Sequence, residues 1–192
     1  MKLTWRGKLT LTLFFALIIY FFIQNPLGVN LLNRLSINSA DLPSELHPLV
    51  KERSDQLIHQ SAAKGIVIVI TDDFRSMEDQ DALYEKGRSA AGSIVTHARG
   101  GESFHNFGLA IDFAIKTPSE SVIWDMQYDG NKNGLADWNE VVEIAKTLGF
   151  EWGGDWAQFK DYAHLEMNFG LTLADLQNGK RPDASSLTAD TN

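Results

Sequence analysis

The rhythm of apolar positions changes several times along this chain, and each change predicts a different element. Residues 9–23, LTLTLFFALIIYFFI, are uncharged and apolar on every face. Further on, Leu46, Leu49, Val50, Leu57 and Ile58 recur at roughly helical spacing, which predicts a helix over residues 42–63, ended by Gly65. The β-branched run IVIVI (residues 66–70) predicts a buried strand. A second helix is expected over residues 77–87, with Gly87 at its C-terminus, and a strand over 110–115. Val141, Ile144, Ala145 and Leu148 give the apolar stripe of a third helix over 137–148, with Asp137 and Glu140 spaced as a capping box and Gly149 as its stop. A last strand is expected over 164–168, and from Asn178 the polar composition reads as a disordered tail. There are no internal repeats. The pattern is that of an α+β domain, a small antiparallel sheet with flanking helices over residues 44–177. A leader (1–23) and a linker (24–43) precede it, and a tail (178–192) follows.

Composition sharpens this picture in two places. The chain has no cysteine, so disulfides, thiolate metal sites and a cysteine nucleophile are excluded, and any metal must be held by His, Asp, Glu or carbonyl oxygen. Charge is also divided unevenly. Residues 1–40 carry Lys2, Arg6, Lys8 and Arg34 and no acid, while the remainder is strongly acidic. An acidic body excludes nucleic acid as a partner, since phosphate binding needs a basic surface. Lys2, Arg6 and Lys8 ahead of the apolar run resemble a secretory signal. That run is shorter than the roughly 20 residues of a spanning helix, and no small-x-small cleavage site follows it. The expectation is an uncleaved signal anchor, with the body exported and facing outward, or release to the cell wall or periplasm if the segment is cut.

The chemistry begins with SFHNFGLAIDF (residues 103–113). Leu109, Ile111 and Phe113 alternate with Gly108, Ala110, Asp112 and Ala114, so one strand face is bulky and apolar. The other face is small except for one carboxylate, and a lone buried carboxylate is costly unless it is paired or bound to a cation. On this stretch alone, a turn cap or an arginine partner explains Asp112 as well as a metal does. KDYAHLEMNF (residues 160–169) adds His164, with Asp161 three residues before it and Glu166 on the same strand face. Two histidines and a carboxylate, with water in the fourth position, form a standard ligand set for catalytic zinc. Asp161 is placed to act as a base beside that water. His47, His59 and His97 stay unassigned, His97 being the one that could displace the third ligand.

The order S-x-H-x6-D, then D-x-x-H, resembles the M15 family of zinc peptidases. FRSMEDQDALYEKGR (74–88), THARGGESFHNFGLAIDF (96–113) and GFEWGGDWAQFKDYAHLEM (149–167) support the likeness. It covers roughly residues 45–170 and is nearest the L-alanyl-D-glutamate endopeptidases of bacterial walls and phage endolysins, with D,D-peptidases more distant. The resemblance implies an M15/hedgehog-like fold with zinc (Zn2+) in a cleft on the sheet. It implies that His105, Asp112 and His164 are zinc ligands, Asp161 the general base, and Arg75 the group that steadies the oxyanion. Ser103 would hydrogen-bond near the metal or substrate. The implied partner is a peptidoglycan stem peptide, cut at the L-Ala–D-Glu bond. A D,D-carboxypeptidase and a non-catalytic wall-binding module are the rivals. A glycosidase using Glu102 and Asp112 would explain neither histidine. Oligomeric state is not legible.

One motif stands outside that scheme. DGNKNGLADWNE (residues 129–140) matches the twelve-residue calcium loop D-x-[DN]-x-[DN]-G-x5-E. Asp129, Asn131, Asn133, the Leu135 carbonyl, Asp137 and Glu140 would be the ligands of Ca2+, with Gly134 giving the turn. The alternative is an Asn/Gly-rich turn in which Asp137 and Glu140 only cap the third helix.

Overall fold

The computed structural model describes residues 42–182; the expected leader, most of the linker and most of the tail lie outside the described residues. Among the described residues no helix is long and apolar enough to cross a membrane. In chain order the elements are α1 (Pro48–Ala63), β1 (Ile68–Asp72), α2 (Met77–Glu85), β2 (Ala110–Lys116), β3 (Val122–Ile123), α3 (Asp137–Thr147), β4 (Glu151–Trp152), β5 (His164–Glu166) and α4 (Leu173–Gln177). The strands form one antiparallel sheet in the order β1-β2-β5-β4, with β3 pairing the end of β2. This is the expected α+β architecture.

Several boundaries differ from expectation for local reasons. The first helix starts at Pro48, not residue 42, because proline fits the first helical position and forces the residue before it, His47 at φ −55° and ψ 135°, out of helix. The IVIVI segment is not buried throughout: Ile66 and Ile68 are buried, while Val67, just before the edge strand β1, is 53% exposed. α2 ends at Glu85, and Gly87 takes the left-handed φ of 71° just beyond it. The last expected strand stops at Glu166. The capping box expected at α3 does not form, since the cap residue is Ala136 and no side chain caps the helix. A real capping box instead starts α4, where Thr172 and Asp175 bond reciprocally, a helix not anticipated in the sequence.

The core lies between the helices and the apolar face of β2. Ile111, Phe113 and Ile115 are buried there with Val50 and Leu57 of α1 and Trp138, Val141 and Ala145 of α3. Phe113 and Trp138 stack with ring centroids 4.5 Å apart. The opposite face of β2 carries Asp112 between Ala110 and Ala114, as the alternation requires. Truncating the centre of this core is costly. Phe113→Ala should destabilise the domain by about 3–5 kcal/mol, read as a lower urea midpoint with unchanged slope.

Candidate metal centre and active site

Strand register assembles the site. β2 and β5 pair so that Asp112 lies directly opposite His164, and cross-strand partners share a face. His105 arrives from a short 3-10 turn, Phe104–Phe107, ahead of β2. Ser103 caps that turn, its Oγ accepting from the His105 amide at 3.4 Å. Gly108 ends the turn at φ 68°, and a Cβ there would stand 2.4 Å from the Glu45 carbonyl oxygen, so only glycine lets the chain reverse into β2. Gly153 has a similar role on the far side. A Cβ at Gly153 would come within 2.5 Å of the Asp161 carbonyl oxygen and 3.1 Å of the His164 Cβ. The Asp161–His164 loop can therefore lie flat on this turn.

The three expected ligands meet. His105 Nε2 and His164 Nδ1 are 3.2 Å apart, and each is 3.3 Å from Asp112 Oδ1. These residues form the group among the described residues able to hold a metal through three side chains. The remaining ring nitrogens fix which atoms face inward. His105 Nδ1 donates to the Asp73 carbonyl at 2.7 Å, and His164 Nε2 donates to Glu166 Oε2 at 2.9 Å. Each histidine thus turns its other nitrogen toward Asp112, the arrangement by which an outer acceptor orients a metal-binding imidazole. Asp112 Oδ1, at the centre of the group, is buried without a hydrogen-bond partner, so the protein's own atoms do not satisfy it. The donor set of two imidazoles and one carboxylate fits zinc.

Electrostatics follow the same geometry. Burial alone would raise the Asp112 carboxyl, but His105 and His164 outweigh it and hold Asp112 well below the usual carboxylate range. Burial would lower His164, but Asp112 and Glu166 push it up to about 9. Asp161 is raised, first by burial and then by the Asp112 charge.

Asp161, Arg75 and Ser103 line one cleft of about 730 Å³ with the three donors, alongside Val95, Trp156 and Phe159. That volume lies in the usual range for small-ligand sites. Arg75 pairs with Asp72 and also faces the site, with Nη2 4.0 Å from Asp112 Oδ2. Its other arm donates to the buried Gln80 Oε1 at 2.7 Å. His97 lies on the cleft wall 3.4 Å from Arg88 and is not part of the donor group. The sequence reading did not assign Glu166 or Gln80. The H-x-E spacing on β5 could have signalled Glu166, whereas nothing local marks Gln80, which reaches Arg75 only through the packing of α2.

With fold and geometry in place, comparison with known proteins identifies the class: the chain belongs to the M15 peptidase family and is an enzyme of that class. A family profile described as D-alanyl-D-alanine carboxypeptidase matches residues 96–167, the segment that holds all three donors. The chain is 62% identical to the peptidoglycan L-alanyl-D-glutamate endopeptidase CwlK of Bacillus subtilis over 132 residues, 69% of this chain and 79% of that protein. It is 31% identical to the L-alanyl-D-glutamate peptidase of Listeria phage A118 over 74% of this chain, which spans 46% of the phage protein. Among solved structures, the Serratia marcescens L-Ala D-Glu endopeptidase ChiX aligns at 24% identity and a TM-score of 0.44, covering 69% of this chain and 84% of that one.

Two outcomes follow. Metal must displace the proton that His164 holds below about pH 9, so zinc affinity of the metal-free protein should rise about tenfold per pH unit from 7 toward 9 and level off above it. Calorimetry in buffers of differing ionisation enthalpy would show the released proton; a flat profile would contradict it. Glu166→Gln should weaken zinc affinity by about 10–100-fold in competition with a chromophoric chelator.

Proposed function

We propose that this chain is a zinc-dependent peptidase that hydrolyses the L-Ala–D-Glu bond of peptidoglycan stem peptides. The observation that carries the reading is the convergence of His105, Asp112 and His164 in one cleft with Asp161 and Arg75. The similarity to CwlK supports the choice of bond. His105 Nε2, Asp112 Oδ1 and His164 Nδ1 would hold the zinc. When bound, zinc acidifies a water and polarises the scissile carbonyl.

The remaining steps fall to the chain's own groups. Asp161, half-buried on the cleft wall, accepts the proton of the attacking water and returns it to the leaving amine. Its raised affinity for protons suits both halves of that exchange. Arg75 is held by Asp72 on one arm and Gln80 on the other, so its charge is already fixed where the carbonyl oxygen becomes an oxyanion. Glu166 and the Asp73 carbonyl hold the two imidazoles in orientation. Ser103 secures the turn that presents His105, and its place on the wall also leaves it close to substrate. The apolar wall of Val95, Trp156 and Phe159 receives the uncharged parts of the peptide and sheds water from the cleft. The N-terminal segment 1–23 would carry this domain out of the cell and tether it to the membrane, the linker 24–43 giving it reach toward the wall.

The family profile's description favours a second reading, a D,D-carboxypeptidase that removes terminal D-Ala. Mass spectrometry of digested muropeptides separates the two. Release of L-Ala-terminated glycan from a peptide beginning with D-Glu is expected, and loss of D-Ala alone would overturn the endopeptidase assignment. Asp161→Ala should lower kcat by about 10²–10⁴-fold while zinc content stays stoichiometric. Arg75→Ala should lower kcat by about 10²–10³-fold with a smaller change in KM.

A further inference from the structure

The loop Asp129–Glu140 takes no part in the cleft, yet its side chains turn inward on one another. Glu140 is 7% exposed and is approached from both sides: Asn131 Nδ2 lies 3.0 Å and Asn133 Nδ2 2.8 Å from its Oε2. Asp129 accepts from the Asn133 and Gly134 amides at 3.1 and 3.0 Å, wrapping the loop around its own carboxylate. Lys132 and Gly134 supply the left-handed residues, at φ 59° and 87°, that make so tight a turn. The rival explanation, a capping box, is absent, because neither Asp137 nor Glu140 caps α3.

Asp137 supplies an independent observation. It is 1% exposed. Its Oδ2 accepts from the Gly130 amide at 3.1 Å, while its Oδ1 is buried with no hydrogen-bond partner. Burial, and next to it the charges of Asp129 and Glu140, push its carboxyl up, so these carboxylates repel one another across the loop. Against them stand Lys64, whose Nζ is 3.2 Å from Glu140 Oε1 at a half-exposed position, and the exposed Lys132.

We propose that this loop is a second metal site, a structural calcium site built from Asp129, Asn131, Asn133, the Leu135 carbonyl, Asp137 and Glu140. The donors are all oxygen, which suits calcium rather than zinc, and six of them from the protein are more than magnesium, which keeps several of its waters, usually takes. The two asparagine side chains turn their carbonyl oxygens inward when the ion enters, and Lys64 swings outward. With asparagine in place of two aspartates, affinity falls in the weak range of extracellular modules, about 10⁻⁴–10⁻³ M. The ion would pin the start of α3. From there Trp138 Nε1 donates to the Tyr162 carbonyl at 3.2 Å, beside Asp161.

The test uses the full zinc-loaded chain in detergent micelles and calcium alone as the probe. At 10 mM calcium the thermal midpoint should rise by about 5 °C, with a smaller response to magnesium. Asp129→Asn and Glu140→Gln should each lose most of the rise. Tb3+ should give luminescence sensitised by Trp138 that calcium quenches by displacement. Asp112→Ala, which removes a donor of the cleft site, should keep the calcium response, so the two metal sites are distinguished. No midpoint shift together with no sensitised emission would overturn the site. So would a shift that persists in Asp129→Asn, which folds without disturbing a buried group, or an equal response to magnesium.

Discussion

Asp112 and His164 face each other across β2 and β5, and the rest of the active site depends on that register. A slip of one residue would turn Asp112 into the core and Phe113 into the cleft, exchanging every side chain between faces. The register is secured by the apolar face: Ile111, Phe113 and Ile115 are buried against α1 and α3, and Leu165 pairs with Ile111. Hydrophobic burial on one side thus sets the position of charge on the other. The small residues beside Asp112 have a matching role, since Ala110 opposite Glu166 leaves room for that carboxylate to reach His164.

A buried carboxylate oxygen without a partner stands both at the metal centre of the cleft and in the loop proposed to take calcium. Among the described residues, Asp112 Oδ1 and Asp137 Oδ1 are the carboxylate atoms buried without a partner. Leaving such an atom unpaired costs about 1–3 kcal/mol, more when it is charged. In the cleft, histidines crowd the orphan, and in the loop, amides and other carboxylates do. The surrounding donors therefore differ in chemistry: imidazole nitrogen in the cleft, which suits zinc, and oxygen alone in the loop, which suits the proposed calcium.

Much of this was legible because the controlling signals are local. The period-two alternation around Asp112 gave its face, the turn glycines gave chain reversals, and the H-x6-D and D-x-x-H spacings picked out the residues that the structure brings together in one cleft. Other features depend on distant partners. α1 began late because Pro48 outweighs the apolar spacing before it. The capping box expected at Asp137 failed because the helix begins at Asp137 itself, which leaves Ala136, without a polar side chain, at the cap position. Arg75, expected to steady an oxyanion, also forms an ion pair with Asp72 that holds it toward the cleft.

The sequence by itself determined the class of fold, the face on which Asp112 stands and the candidate metal donors. These follow from periodicity and residue chemistry, which act over a few positions. Tertiary structure alone decided that His105 Nε2 and His164 Nδ1 are the atoms turned inward, since the Asp73 carbonyl and Glu166 occupy the other nitrogens. It alone decided that Gln80 braces Arg75 and that Gly153 admits Asp161 beside His164. Only the His105–Asp73 contact spans a long stretch of chain, but the nearer ones also depend on how turns and helices lie against the sheet, so their geometry is fixed only when these have packed.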